Sequence, residues 1–332
     1  VKSAAGEQLA LLPAEELGPA GRSRELARIE WSYSRRVVLE RCPRQYYYEY
    51  FGASAREAVE EPLKPALRVA KETSNRHLRV GDLVHAAIAR HFRGAQKGTP
   101  VALDQLEWSV LTSFRADRDR SRAVAAGRYL TQVEQFPPVV LREYVHAEPE
   151  VEQLMDQAEE RLVAALRSFA GSAVFEPLRL AGRGPDAVVE APFHLRGLTC
   201  RVQGKVDLGY PTPDGAVVVD WKLGDTEHEG HDSLQLAVYA LWGIERFGRR
   251  PGTLRLLKAF LRSGEVREYA VDEDMRRMAR LRIAQDAERM AAMEGYGADG
   301  VADAFPAVAR RRVCSHCPFR GVCPEALEVL AA

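Results

Sequence analysis

The sequence predicts an α/β protein, with strands and helices in turn and a helical insertion ahead of the sheet. Three observations carry that reading. In GDLVHAAIARHF, residues His85, Ile88, Ala89 and Phe92 fall at i, i+3, i+4 and i+7, one face of a 3.6-residue period. From about residue 187 the pattern becomes strand-like in AVVEAPFHL, LTCRVQGKVDLGY and AVVVDWKL. After residue 223 helix, hairpin and helix patterns follow in turn.

The chain has 332 residues, 46% of them hydrophobic, enough to bury a large core. We expect a loosely attached leader over residues 1–30, rich in Ala, Gly, Pro and Glu, and a single domain over 31–332. No run of about 18 apolar residues appears, and the first residues lack a basic segment followed by an apolar one. The expectation is a cytoplasmic protein with no membrane partner. Forty-seven basic residues balance forty-seven acidic ones, so attraction to nucleic acid must come from local patches. Five cysteines are too few for a disulfide scaffold, and three crowd into the last twenty positions, which points to a metal.

In chain order, residues 31–52 (WSYSRRVVLERCPRQYYYEYFG) read as helix, strongly aromatic after Cys42, and residues 53–80 as loop. The helix bearing His85 comes next. The insertion, about 101–170, holds helix-like text interrupted by Pro137-Pro138 and resuming near Pro149. The strands from 187 form an antiparallel meander with a Pro-Asp-Gly turn at 213–215. The helix LQLAVYALWGIERF stops at Gly248, a hairpin turns at Ser263-Gly264, a long helix covers 273–294, and a Cys-rich tail spans 314–324.

The segment VVVDWKLG poses a chemical question, because a strand apolar enough to be buried on both faces ends on opposite charges. Asp207 and Asp220 lie on strands joined by a tight turn, so their carboxylates can stand side by side. Two anions in a protein interior repel and lose solvation unless a cation lies between them. Mg2+ or Mn2+ suits hard oxygen ligands and leaves room for water and phosphate. Lys222, two residues beyond Asp220, shares its face of the strand and can orient a nucleophile or stabilise charge on a phosphate.

With these residues in hand, the chain resembles the PD-(D/E)XK nuclease superfamily, specifically its RecB-like branch. That branch carries a His on an early helix, Gly-x-x-Asp on one strand, Asp-x-Lys on the next and Gln-x-x-x-Tyr on the following helix. Here they read Gly81 to His85, Gly204 to Asp207, Asp220-Trp221-Lys222 and Gln235 to Tyr239, in that order, and Glu190 matches a Glu common ahead of the first strand pair. Each signal is weak alone, and four in family order are strong. The resemblance implies a restriction-endonuclease-like core, an α/β fold with a mixed central sheet flanked by helices. It also implies His85, Asp207, Asp220 and the Trp221 carbonyl as metal ligands, Lys222 as catalytic, and Gln235 and Tyr239 as residues that hold a DNA strand. Trp221 and Leu223 depart from the more usual Tyr and Thr.

Cys314, Cys317 and Cys323 are spaced Cys-x2-Cys-x5-Cys, and Cys42 is the natural fourth ligand; Cys200 reads as a small buried hydrophobe. Zinc and iron-sulfur both fit four thiolates. The one-plus-three arrangement resembles the iron-sulfur branch of RecB-like nucleases, which includes AddB nuclease domains and CRISPR-associated adaptation exonucleases. It implies a [4Fe-4S] cluster stapling the N-terminal helix to the C-terminal tail. Tyr46, Tyr47, Tyr48, Tyr50 and Phe51 either pack beneath that cluster or stack bases, and some of each is expected. Arg310 to Arg312 and the run Arg115 to Arg128 are candidate phosphate contacts, the second interleaved with Asp117 and Asp119 and equally readable as a self-paired face. No phosphate-loop motif occurs. The expectation is therefore a Mg2+- or Mn2+-dependent deoxyribonuclease, exonucleolytic on single-stranded DNA ends, serving repair, CRISPR adaptation or phage defence. A separate helicase, ATPase or CRISPR/defence partner would supply any motor. The alternative is a non-catalytic DNA-binding subunit of a larger complex.

Overall fold

The structure is a computed structural model that describes residues 26–54, 63–127, 139–224, 233–248, 250–294 and 304–332. Most of the expected leader, Pro137-Pro138 and Arg128 lie outside the described residues.

The chain begins with a short strand β1 (Glu30–Trp31) and helices α1 (Tyr33–Arg41) and α2 (Pro43–Tyr47), the latter running into a π-helical turn over Tyr48–Gly52. Ser32 caps α1 by accepting from the Arg35 N–H. Residues 53–80, expected as loop, hold α3 (Lys64–Lys71), β2 (Thr73–Ser74) and the first turn of α4 (Arg76–Gln96). Pro65 reads as a breaker in sequence, yet it occupies the first turn of α3, where its missing N–H costs nothing. In α3 only Leu67 is buried, too few apolar residues to register as a period. The start of α4 is set by Asn75, whose side chain accepts from Leu78 N at 2.8 Å.

α5 (Leu103–Ala125), β3 (Val140–Leu141), α6 (Arg142–Val145), α7 (Val151–Gly171) and α8 (Glu176–Gly182) follow. The Arg-rich face of α5 is paired within the protein. Arg115 and Arg118 meet Glu159, Arg118 and Arg122 meet Glu152, and Arg79 reaches Asp117. Of the two expectations for that run, the self-paired face is the one seen over Arg115 to Arg122.

The remaining strands are β4 (Val188–Leu195), β5 (Arg201–Thr212), β6 (Gly215–Lys222), β7 (Leu254–Phe260) and β8 (Glu265–Tyr269), with α9 (Ser233–Phe247) between β6 and β7. They form a six-stranded mixed sheet in which β1 and β4 pair with β5 and the order continues β5-β6-β7-β8. β4, β5 and β6 are antiparallel, as the turn at 213–215 predicts, whereas β6 and β7 run parallel across α9. Gly215 is required there, because a Cβ on it would lie 1.8 Å from the Thr253 carbonyl oxygen. α10 (Glu273–Glu294), α11 (Arg311–Cys314) and α12 (Pro324–Ala331) complete the described chain. No helix among the described residues is long and apolar enough to cross a membrane.

The sheet separates two cores, and β6 is buried on both sides. Ala216 and Val218 join the core formed with α9, α10 and the aromatic N-terminal segment, whereas Val217, Val219 and Trp221 join the core formed with α4, α5 and α7. This accounts for the unbroken apolar run of β6. Tyr46, Tyr47 and Tyr48 are buried in the first core and pack on Phe305 and Phe319, with Tyr50 and Phe51 partly buried against them. The expectation that some of these rings stack bases is not met for Tyr46, Tyr47 and Tyr48, because the same aromatic surface closes the core beneath the C-terminal tail.

One irregularity sets up the site. Phe193 and Leu195 of β4, and Val202 and Val206 of β5, face the first core, but Val189 and Leu208 face the second. Strict alternation would put each set on one side. It breaks at Glu190 and Asp207, which lie between the register pairs Val189↔Leu208 and Ala191↔Val206. Glu190 has φ of +44°, a left-handed backbone that a non-glycine residue holds at some cost.

Candidate active site and a cysteine-lined pocket

Register alone aligns the acidic residues. Continuing the β4-β5 pairing through its break sets Glu190 opposite Asp207. Pairing between β5 and β6 ends at Leu208↔Val219, and one more step sets Asp207 opposite Asp220. β6 continues alongside β7, where Asp220 is in register with Lys258. Three carboxylates thus stand in a row across three adjacent strands, at the point where β5 leaves β6. Like charges facing one another across strands destabilise a sheet, so the arrangement calls for cations.

The strands' separation leaves backbone groups for side chains to bind. The Trp221 N–H donates to Asp207 Oδ2 at 2.8 Å. On the opposite face α4 presents His85, with Nε2 3.1 Å from the Trp221 carbonyl oxygen and Nδ1 2.9 Å from Glu190 Oε1 and 3.4 Å from Asp207 Oδ1. His85 shares the apolar face of α4 as the sequence predicts, and it turns its imidazole to the row of carboxylates. Lys205 Nζ lies 2.5 Å from Glu190 Oε2. Lys222 Nζ lies 2.8 Å from Asp220 Oδ2 and donates to Gln235 Oε1 at 3.0 Å.

Burial lowers the His85 pKa, but Asp207 and Glu190 outweigh it and drive it up to about 10. Without a cation among the carboxylates the protonated ring offsets their charge, and a divalent ion held by His85 would displace that proton. Burial, only partly offset by Lys222 and reinforced by Asp207, pushes Asp220 up to about 6. Asp220 Oδ2 is buried and has the Lys222 ammonium beside it. These are marks of a donor set suited to a hard divalent cation.

Among the described residues, His85, Glu190 and Asp207 bring ligand atoms within 4.8 Å of one another. The structure therefore gathers two of the expected ligands, His85 and Asp207, with Glu190. It leaves Asp220 just outside that group, paired with Lys222. Glu190 was recognisable in the sequence only through family resemblance, because one Glu in an alternating strand carries no signal of its own. Gln235 and Tyr239 lie on one face of α9, with Gln235 Nε2 donating to Tyr239 Oη at 3.2 Å and Tyr239 Oη donating to the Lys205 carbonyl at 3.0 Å. Tyr239 is only 6% exposed.

A second constellation lies at the chain's two ends. Cys42, Cys314, Cys317 and Cys323 line one pocket together with Arg44 and Glu325, and all are free thiols. The Val308 N–H donates to Cys42 Sγ at 3.4 Å, and Arg44 pairs with Glu325 at 3.0 Å. Burial pushes the Cys317 thiol up to about 12 and the Cys323 thiol up to about 11. Among the described residues no three of these sulfurs lie within 4.8 Å of one another. Cys200 is buried in the first core just ahead of β5, away from the pocket's lining. Arg310 to Arg312, beside Cys314, are exposed, and Arg311 donates to the Val329 carbonyl.

A search of the curated proteins finds no match. Among solved structures, one described as "Crystal structure of SSO0001" aligns over 54% of this chain and 79% of its own, at 17% identity with a TM-score of 0.28, a likeness too slight to carry an argument. The sequence profile of the PD-(D/E)XK nuclease superfamily matches residues 30–324, the span that contains both the carboxylate row and the four cysteines of the pocket. The chain belongs to the PD-(D/E)XK nuclease superfamily.

Proposed function

We propose that the protein is a Mg2+- or Mn2+-dependent deoxyribonuclease of the RecB-like branch that digests single-stranded DNA from its ends. The observation that carries this reading is the row of Glu190, Asp207 and Asp220 across three strands, with His85 on one side and Lys222 at its end. His85, Glu190 and Asp207 would hold the divalent ion, with Asp220 and the Trp221 carbonyl bordering the same notch. A divalent ion there supplies Lewis-acid stabilisation of the charge on a phosphate undergoing displacement. The chain's own contribution is positional. The Trp221 N–H fixes the Asp207 carboxylate, Glu190 orients the imidazole, and the Lys222 ammonium stands beside Asp220 to stabilise anionic charge or orient the attacking water.

The four cysteines that line one pocket, Cys42 with Cys314, Cys317 and Cys323 of the tail, would hold an iron-sulfur cluster, with zinc as the less favoured occupant. Burial favours the protonated Cys317 and Cys323 thiols, so a cationic core would have to displace their protons on binding. The cluster would join α1 and α2 to the tail within a single nuclease domain. The single-stranded ends would come from a helicase, ATPase or CRISPR/defence complex.

The test compares linear and circular single-stranded DNA and blunt duplex, with Mn2+, using anaerobically purified protein. Digestion of linear single strands alone fits the proposal; cutting of circles would replace it with an endonuclease. Iron and acid-labile sulfide with brown colour fit the cluster, and stoichiometric zinc in a colourless protein would exclude it.

A further inference from the structure

Gln235 and Tyr239 fall where the family resemblance expects a grip on the DNA strand, but their hydrogen bonds lead elsewhere. The Tyr239 hydroxyl proton is committed to the Lys205 carbonyl. Its oxygen is then left to accept, and it accepts from Gln235 Nε2. That contact fixes the amide's orientation, since a flipped amide would set two acceptors against each other. Gln235 Oε1 is thereby turned to Lys222 Nζ at 3.0 Å. The chain runs from the β5 backbone, through two side chains one turn apart on α9, to the ammonium at the end of β6. Tyr239 is almost wholly enclosed, with its ring against Phe193, so it has little surface to offer a nucleotide.

Lys222 needs such a support. It is the last residue of β6, and it pairs with Asp220 Oδ2 at 2.8 Å. The attraction of Asp220 draws the ammonium back toward that carboxylate. A neutral acceptor on the other side holds it without adding another anion to a site that already has three. Helical spacing makes the device rigid, because residues four apart on α9 stand one above the other.

We propose that Gln235 and Tyr239 are positioning residues that aim the Lys222 ammonium, and not contacts for the DNA strand. The proposal rests on the nuclease reading and makes a distinction that a DNA grip would not. Removing the support slows the chemical step on bound DNA and leaves binding unchanged. Removing a grip weakens binding.

The test uses the full chain with Gln235→Leu and Tyr239→Phe, measuring single-turnover cleavage of single-stranded DNA at saturating enzyme with Mn2+, and affinity by fluorescence anisotropy with Ca2+ in place of Mn2+. Tyr239→Phe keeps the ring in the core and removes only the hydroxyl, and thermal melting confirms that each variant is folded. A hydrogen bond to a charged group corresponds to a rate loss on the order of tenfold or more. The expected result is that loss in both variants with Kd within about twofold of the parent, the scatter usual for substitutions away from a contact. An unchanged rate, or a Kd raised severalfold at unchanged rate, overturns the proposal and leaves the nuclease reading standing. If the parent protein does not cut with any divalent cation, the nuclease reading fails and the positioning role fails with it.

Discussion

Asp220→Asn should stabilise the protein while abolishing its activity. Asp220 is 3% exposed and stands in the row with Asp207. Burial first, and Asp207 second among the opposing influences, raise its pKa from 3.8 to about 6 against the pull of Lys222. A carboxyl more readily protonated in the fold than in the unfolded chain contributes stability only while it keeps its proton. That contribution is present below about pH 4 and is lost as the pH rises through about 6. At about 1.4 kcal/mol per tenfold change, the ionised carboxylate costs the fold on the order of 3 kcal/mol at pH 7. Asparagine keeps the shape without the charge. In urea unfolding with EDTA, the variant should exceed the parent by up to about 3 kcal/mol at pH 7, by roughly half that at pH 5, and by nothing below about pH 4. Adding Mn2+ should narrow the difference, since a bound cation stabilises the parent selectively. A variant less stable than the parent at pH 7 in EDTA would refute the reasoning, because Asp220 would then contribute to the fold as an ion.

Glu190→Gln removes the carboxylate that holds both His85 and Lys205. Mn2+ affinity measured by calorimetry should fall by about tenfold or more, and unchanged affinity would remove Glu190 from the ligand set. Gly215→Ala forces a methyl group against the Thr253 carbonyl and should cost about 3 kcal/mol in chemical denaturation; a cost near zero would mean that the β5-β6 turn can move freely. Arg115→Ala should leave DNA affinity unchanged, because its guanidinium is paired with Glu159, and a severalfold loss in a binding assay would return the α5 face to the list of phosphate contacts.

Much of the site was legible because its spacing is local. The Pro-Asp-Gly turn fixes the register of β5 against β6, and register alone brings Asp207 opposite Asp220. Period-2 geometry then puts Lys222 on the same face as Asp220. His85 on the apolar face of α4 was equally readable. What the sequence hides is nonlocal. Glu190 enters the row only because β4 breaks its alternation at a left-handed residue, and nothing in AVVEAPFHL announces that break. Lys258, wholly buried and in register with Asp220, looks like an ordinary strand lysine until β7 is paired in parallel with β6. The tyrosines after Cys42 have the composition of a base-stacking surface, and only the arrival of Phe305 and Phe319 from the far end of the chain makes them core. The helix Lys64–Lys71 escaped because one buried leucine makes no period.

The most direct test of the central claim is cleavage of single-stranded DNA, labelled separately at each end, by the anaerobically purified protein and its Lys222→Ala variant, with Mn2+ and with EDTA. Cleavage that requires the cation and disappears in a folded variant is the predicted result, and the product ladder gives its polarity. Equal cutting by parent and variant, or none by a folded parent whose cysteine site is loaded, would contradict the account.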